Sequence, residues 1–280
     1  MLSAVIDPPF GTHALPGWLE RLRRWGQHIG RSGMARRVAS LIRRVCMLGR
    51  DDPFDVEPFP GQRARLYPRD NLSEKRVFGA TQFWDHAERD ALQVAAKRAT
   101  PPFHFVDAGA NVGLYTLAVR SFGAMRGLAI EPDDENLRRL RINLAASRAD
   151  EVTVAAFALA DKAGEAVLSK TGANRGEIAL GGQDSDGVTI QTRPLRDLVE
   201  DAGFQRIDAL KIDIEGAEEP VLTAFYRDAR RALWPRLVLI EARRGEETPA
   251  LDLLHQHGYR IHERTRMNAI MALKEEAEQS

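Results

Sequence analysis

FHFVDAGANVGLYTLAVR, residues 103–120, decides the fold. It opens as a short apolar strand at 103–107 and breaks into D-A-G-A-N-V-G. It then runs directly into a helical pattern over 112–121. Gly109 and Gly113 permit tight backbone turns and close approach of a ligand. The helix that follows offers free N–H groups and the positive end of its dipole.

Outward from this turn the pattern alternates. Strand 127–131 leads to helix 133–147, and a strand follows at 151–159. Residues 161–206 break the rhythm with glycine-rich turns, two or three short strands and a helix near 195–202. Strand 207–213, helix 217–230, strand 236–241 and helix 247–257 follow, and YRIHERTR with MNAIMALK predicts a closing hairpin. Alternating strands and helices predict a doubly wound α/β fold with a mostly parallel sheet. Ligands of such sheets bind beyond the carboxyl ends of the strands, where the opening turn lies.

The chain divides near Thr100-Pro101-Pro102 into a helical, basic lead-in (1–100) and the α/β domain (101–275). Within the lead-in, DDPFDVEPFPG (51–61) reads as a linker, because three prolines and four acids oppose a helix. A helix is expected over Trp84–Ala96.

An apolar fraction of 44% with 29% charged residues is ordinary for a globular protein. No apolar run is long enough to span a bilayer. The first residues lack the basic and apolar regions of a secretory signal. The single Cys46 fits a reducing compartment, so a cytoplasmic location is expected.

Charge is uneven. Residues 1–50 hold nine Arg and no Lys against Asp7 and Glu20, a net +7, so the other 230 residues carry −7. In MARRVASLIRRVCMLG, Met34, Val38, Leu41, Ile42, Val45 and Leu48 form a stripe at helical spacing, with Arg36, Arg37, Arg43 and Arg44 off it. The favoured expectation is that this stripe packs on the main domain with the arginines in water. The alternative is peripheral contact with an anionic membrane.

The turn at 107–113 lacks the middle glycine of the dinucleotide fingerprint, and Asp107 would repel a pyrophosphate. Asp107 instead suits a ligand with an ammonium or sulfonium. Glu131, at the end of the second strand, can accept both hydroxyls of a ribose. S-adenosyl-L-methionine combines a cationic amino-acid end with a ribose.

Four motifs in order, VDAGANVGLYTL, AIEPDDENLRRLRINL, FALADKAGEAVLS and LKIDIEGAEEPVL, resemble the FkbM-type S-adenosylmethionine-dependent methyltransferases over roughly 103–260. The resemblance implies a Rossmann-like class I methyltransferase fold, a seven-stranded sheet whose last strand is antiparallel. It also implies O-methylation of a hydroxyl on a small metabolite, polyketide or sugar. Carried onto this chain, it places Asp107, Gly109, Asn111 and Gly113 along the methionine part of the cofactor. Glu131 falls at the ribose and Ala158 to Asp161 along the adenine. GANRGEIAL places Asn174 near the acceptor pocket, and Asn143 reads as structural.

A hydroxyl acceptor must lose its proton. In IDALKIDIEG, Lys211, Asp213 and Glu215 alternate with apolar residues and share one face. A lysine in a buried strand needs a partner, and Asp213 or Glu241 is the natural one. Asp213 is expected nearest the reacting hydroxyl, with Lys211 setting its charge and Glu215 and Glu241 framing the pocket. A structural ion-pair network is the bland alternative. Three carboxylates could also hold Mg²⁺ or Ca²⁺, but nothing fixes octahedral spacing, so no metal is assigned. Two other functions compete: a nucleic-acid methyltransferase using the basic arm, and an inactive cofactor-binding module. The arm has few aromatics, and the N/D-P-P-Y/F signal of base methylases is absent. No nucleic-acid partner is therefore expected.

Overall fold

A computed structural model describes residues 7–170, 178–180 and 188–274. Two helices, α1 (Gly17–Gly26) and α2 (Gly33–Met47), are followed by strands β1 (Phe54–Phe59) and β2 (Gln62–Leu66) and helix α3 (Leu72–Ala80). A single 3₁₀ turn, Thr81–Phe83, leads into α4 (His86–Arg98). The domain then runs β3 (Phe103–Ala108), α5 (Leu114–Arg120), β4 (Met125–Ile130), α6 (Asp134–Ser147), β5 (Val152–Ala155) and β6 (Ala158–Leu159). Strands β7 (Gly164–Lys170), β8 (Ile178–Leu180) and β9 (Val188–Arg193) precede α7 (Leu195–Asp201), β10 (Ala209–Ile212) and α8 (Glu218–Asp228). The chain continues through β11 (Leu237–Glu241), α9 (Pro249–Gln256), β12 (Tyr259–Arg264) and β13 (Asn268–Leu273).

The central sheet has seven strands in the order β12-β13-β11-β10-β3-β4-β5. β13 runs antiparallel to both its neighbours, while β11, β10, β3, β4 and β5 are parallel. β3 sits near the middle, and all six of its residues are buried, as an apolar run covered by helices on both faces requires. Two apolar clusters lie on the two faces. One holds Phe103, Phe105, Leu117 and Leu140, the other Val106, Leu128, Leu210 and Ile240.

Two elements differ from the sequence reading. Residues 51–61 are not a linker, because β1 and β2 form an antiparallel hairpin. Prolines bar a helix but are tolerated at strand ends and bulges. Pro58 falls at the register shift between Val56 and Phe59, and Pro60-Gly61 makes the turn. The strand expected at 151–159 is two short strands. β5 closes the central sheet, whereas β6 joins a second sheet of order β6-β9-β7-β8.

The lead-in packs on the domain. Asn143 of α6 donates through Nδ2 to the Val112 carbonyl (2.9 Å) and accepts from the Arg65 amide of β2 (2.7 Å). One side chain thus ties the glycine turn to the hairpin, so the structural expectation for Asn143 holds. Arg65 and Asp55 form a buried bidentate pair at 2.7 and 3.0 Å.

On α2 the buried residues are Ala35, Ala39, Ile42 and Cys46. Of the expected stripe only Ile42 is fully buried; Met34, Leu41 and Leu48 are exposed. Small residues let α2 lie close to its neighbours: Cβ atoms on Gly26 of α1 and Gly79 of α3 would meet Ile42 and Arg43 at 2.9 and 2.7 Å.

Candidate active site

A cavity of about 270 Å³ opens at the carboxyl ends of β3, β4, β10 and β11. Its floor is the turn after β3. Gly109 has φ +75°, and a Cβ there would stand 1.9 Å from the Asp213 backbone carbonyl. The close approach of the segments leaving the paired strands β3 and β10 thus excludes any side chain at 109. The Gly109 and Ala110 amides both donate to the Ile130 carbonyl (3.0 and 2.9 Å). Asn111 adopts φ +51°, a conformation asparagine tolerates better than most residues. Gly113 does not line the cavity. It begins α5 at φ +84°, where a Cβ would meet Leu140 at 2.5 Å.

Glu131 directly follows β4, lines the cavity and is buried. It accepts from the Asn111 amide (2.7 Å) and the Asp133 amide (3.0 Å). Burial lifts its carboxyl to about 7, against these two N–H groups. Ala158 lines the cavity with Phe157 and Leu159. Asp161 does not: the Ala160 amide bonds to the Arg193 carbonyl as the chain turns away, and Asp161 is exposed.

Asp107 departs from the expected direct contact. It is buried beneath the cavity and does not line it. Its Oδ2 accepts from the Thr116 amide and hydroxyl at 3.0 and 2.7 Å. Its Oδ1 has no hydrogen-bond partner and lies 4.0 Å from Lys211 Nζ. This carboxylate satisfies an otherwise unpartnered N–H in the first turn of α5.

Lys211 reaches Asp213 Oδ2 (3.2 Å) and donates to the Gly109 carbonyl (3.2 Å). Its ammonium lies 5.3 Å from the centroid of the Tyr115 ring. Burial opposes its charge, but Asp213 and Asp107 outweigh that and raise its pKa. Of the two partners expected for Lys211, Asp213 is the one within ion-pair reach. Asp213, Glu215 and Glu241 all line the cavity, and their ligand oxygens lie within 4.8 Å of one another. Glu215 gets there by leaving the strand at φ +55°. Burial, then repulsion from Asp213, Glu215 and Glu218, pushes the Glu241 carboxyl up to about 7. This trio offers the oxygens a hard divalent cation accepts, with Lys211 already supplying positive charge beside it. Asn174 lies outside the described residues.

The lead-in supplies a wall that the motifs did not reveal: Asn71, Ser73, Arg76, Trp84 and Asp85. Asn71 caps α3, accepting from the Ser73 and Glu74 amides, and its Nδ2 donates to Asn111 Oδ1 (3.0 Å). Asp85 accepts from the Tyr115 hydroxyl (2.9 Å). Asn71-Leu72-Ser73-Glu74 has the spacing of a capping box, a signal that locates the helix start. Asn268, at the start of β13, also lines the cavity and donates to Glu88 of α4 (2.8 Å). Among the described residues no histidine lines the cavity; His257 stacks on Tyr226 at 4.5 Å.

A parallel sheet with one inserted antiparallel strand defines a class I methyltransferase. Its glycine turn and the acid ending the next strand bound one cleft. The family described as "Methyltransferase FkbM domain" matches residues 107–261, and the chain belongs to this family. The protein is an S-adenosylmethionine-dependent methyltransferase. No curated protein sequence matches it. Among solved structures it is similar to a precorrin-6y C5,15-methyltransferase from Geobacter metallireducens, at 16% identity and TM-score 0.41. That match covers 66% of this chain and 87% of the other. The putative methyltransferase yhhF from Escherichia coli is 14% identical, with TM-score 0.40 and coverages of 67% and 86%. The N-terminal domain of human METTL16 is 14% identical, with TM-score 0.42 and 69% of each chain covered. Likenesses this low say nothing about substrate.

Proposed function

We propose that the protein methylates a hydroxyl group on a small metabolite, polyketide or sugar. The observation that carries this is the polar cluster at the ends of β10 and β11. Asp213 is held by Lys211 at 3.2 Å and stands beside Glu241, whose carboxyl titrates near 7. A hydroxyl needs a proton acceptor at the moment of transfer; a carboxylate cluster with one member, Glu241, raised to about 7 suits that need.

The side chains present fit S-adenosylmethionine. Gly109 is a cradle that any Cβ would fill, Glu131 presents a buried carboxylate for the ribose, and Phe157, Ala158 and Leu159 offer an apolar strip for the adenine. Bound there, the cofactor supplies a methyl group on a sulfonium sulfur. The chain's own tasks are orientation and proton removal, and positioning supplies much of the rate. Asp213 accepts the hydrogen bond of the hydroxyl, Lys211 fixes the position of that carboxylate through the ion pair at 3.2 Å, and Glu241 is the neighbour able to hold the proton. Asp107 supports this from below by fixing Thr116 and Lys211. The wall of Arg76, Trp84 and Asp85 gives the acceptor both an aromatic surface and charged groups.

The test is transfer of an isotopically labelled methyl group from the cofactor into a panel of hydroxylated metabolites and glycans, with the new bond located by NMR. Methyl ethers are expected. Label found only on nitrogen or carbon would overturn the hydroxyl reading.

A further inference from the structure

Half of the large apolar side chains exposed among the described residues sit on α1 and α2: Trp18, Trp25, Met34, Leu41 and Leu48. Helical geometry sorts them, at 100° per residue. On α1, Leu19 and Gly26 face α2, where they meet Cys46 and Ile42. Arg23 turns further inward to the Phe78 and Glu57 carbonyls. Trp18, Leu22 and Trp25 form the next ridge, on the side nearer α2. On α2, Arg36 lies over the Phe83 ring and Arg43 against Gly79, both on the flank away from α1. Met34, Val38, Leu41, Val45 and Leu48 form the ridge on the side nearer α1. The two ridges therefore flank one seam on the outer surface, with their half-buried members Leu22, Val38 and Val45 nearest the seam.

The charges follow the same spacing. Arg21 lies between Trp18 and Trp25, Arg37 between Met34 and Leu41, and Arg44 between Leu41 and Leu48, each three residues after one apolar side chain and four before the next. Among the described residues no carboxylate pairs with Arg21, Arg24, Arg37 or Arg44. The one acid of α1, Glu20, is taken by Arg23.

We infer that the α1–α2 face is a docking surface for an anionic lipid bilayer, lying in the interface without crossing it. Tryptophan prefers the headgroup level. Leucine and methionine enter the acyl boundary, and arginines set along the ridge reach anionic headgroups. A second copy placed face to face would bring these arginines against their own kind. The arginines would meet the phosphates of a nucleic acid as well, but Met34, Leu41, Leu48 and the half-buried Leu22, Val38 and Val45 match an acyl boundary and not stacked bases. No described helix is long and apolar enough to cross a membrane, which fits an interfacial mode. This surface is independent of which acceptor is methylated.

The test is co-sedimentation of the full chain with extruded vesicles of phosphatidylcholine alone, or of phosphatidylcholine mixed equally with phosphatidylglycerol. Partition at least ~10-fold stronger onto the anionic vesicles is expected, because each basic side chain near such a surface adds to binding. It should fall at high salt. Trp18→Ser with Trp25→Ser, and separately Arg37→Gln with Arg44→Gln, should each release most of the bound protein. Cofactor binding should stay unchanged, since these side chains are exposed and far in sequence from the cleft residues. A wild-type chain that stays in the supernatant with both vesicle types overturns the inference. So does equal binding to neutral and anionic vesicles, or binding that survives both variants. A dimer, seen by light scattering without lipid and broken by the same variants, would assign the face to a second copy instead.

Discussion

The backbone carbonyl of Asp213 stands where a side chain on Gly109 would begin, 1.9 Å from the ideal Cβ position. The glycine turn after β3 and the end of β10 are thereby locked together, with Lys211 of β10 bonding to the Gly109 carbonyl. Gly109→Ala must both strain a φ of +75° and push β10 away. Overpacking of this kind costs about 1–3 kcal/mol. Urea unfolding should show that loss, and cofactor affinity should fall with it.

Glu131→Ala should weaken S-adenosylmethionine binding by roughly 1.5–3 kcal/mol, the range for hydrogen bonds to a charged group. NAD should not compete. Titration calorimetry checks both, and unchanged affinity in the variant would remove Glu131 from the ribose site.

Asn71→Ala should cost about 0.5–2 kcal/mol of stability through the lost helix cap. It also removes the hydrogen bond to Asn111 Oδ1 (3.0 Å), so the cofactor turn should loosen. Thermal melts with and without cofactor check this, because a pure capping effect lowers both equally.

Glu241, lifted to about 7, gives opposed pH trends. Its folded value lies above the ordinary glutamate value, so the folded state binds its proton more tightly than the unfolded state does. The stability this contributes is complete below the unfolded pKa and is lost as pH rises through about 7. Glu131, also at about 7, acts in the same direction. Activity should rise over that window as the carboxylate forms. Melting temperature and kcat/KM, followed from about pH 5 to about pH 8, should cross, and Glu241→Gln should flatten the activity limb.

Much of this site was legible in order along the chain. Strand ends and helix starts near the cofactor turn are local events, written in Asp107, Gly109, Gly113 and Glu131. Lys211 stood out because a charge in a strand buried on both faces demands a partner. Burial of Asp107 below the cleft was not legible: motif position does not say whether a carboxylate faces the ligand or the next helix. Asp161 was misplaced for a related reason, since the chain has already joined the second sheet at β6 and turns away from the cleft after it. The lead-in wall depends on contacts between residues 71–85 and a turn some thirty residues later, which no periodicity encodes. On α2, the larger residues suggested the buried stripe, yet the face that is buried carries Ala35, Ala39 and Cys46 beside Ile42, with Gly26 and Gly79 of the neighbouring helices leaving room for Ile42 and Arg43.

The most direct test of the catalytic assignment pairs two numbers for Asp213→Asn: turnover on a hydroxyl acceptor from the labelled panel, and the cofactor dissociation constant. The variant keeps the size of the side chain and removes the charge that Lys211 holds. Turnover should fall by roughly two to four orders of magnitude, while cofactor affinity stays near the wild-type value because Gly109, Asn111 and Glu131 are untouched. Weakened cofactor binding with normal turnover at saturation would contradict the account and make Asp213 a binding residue.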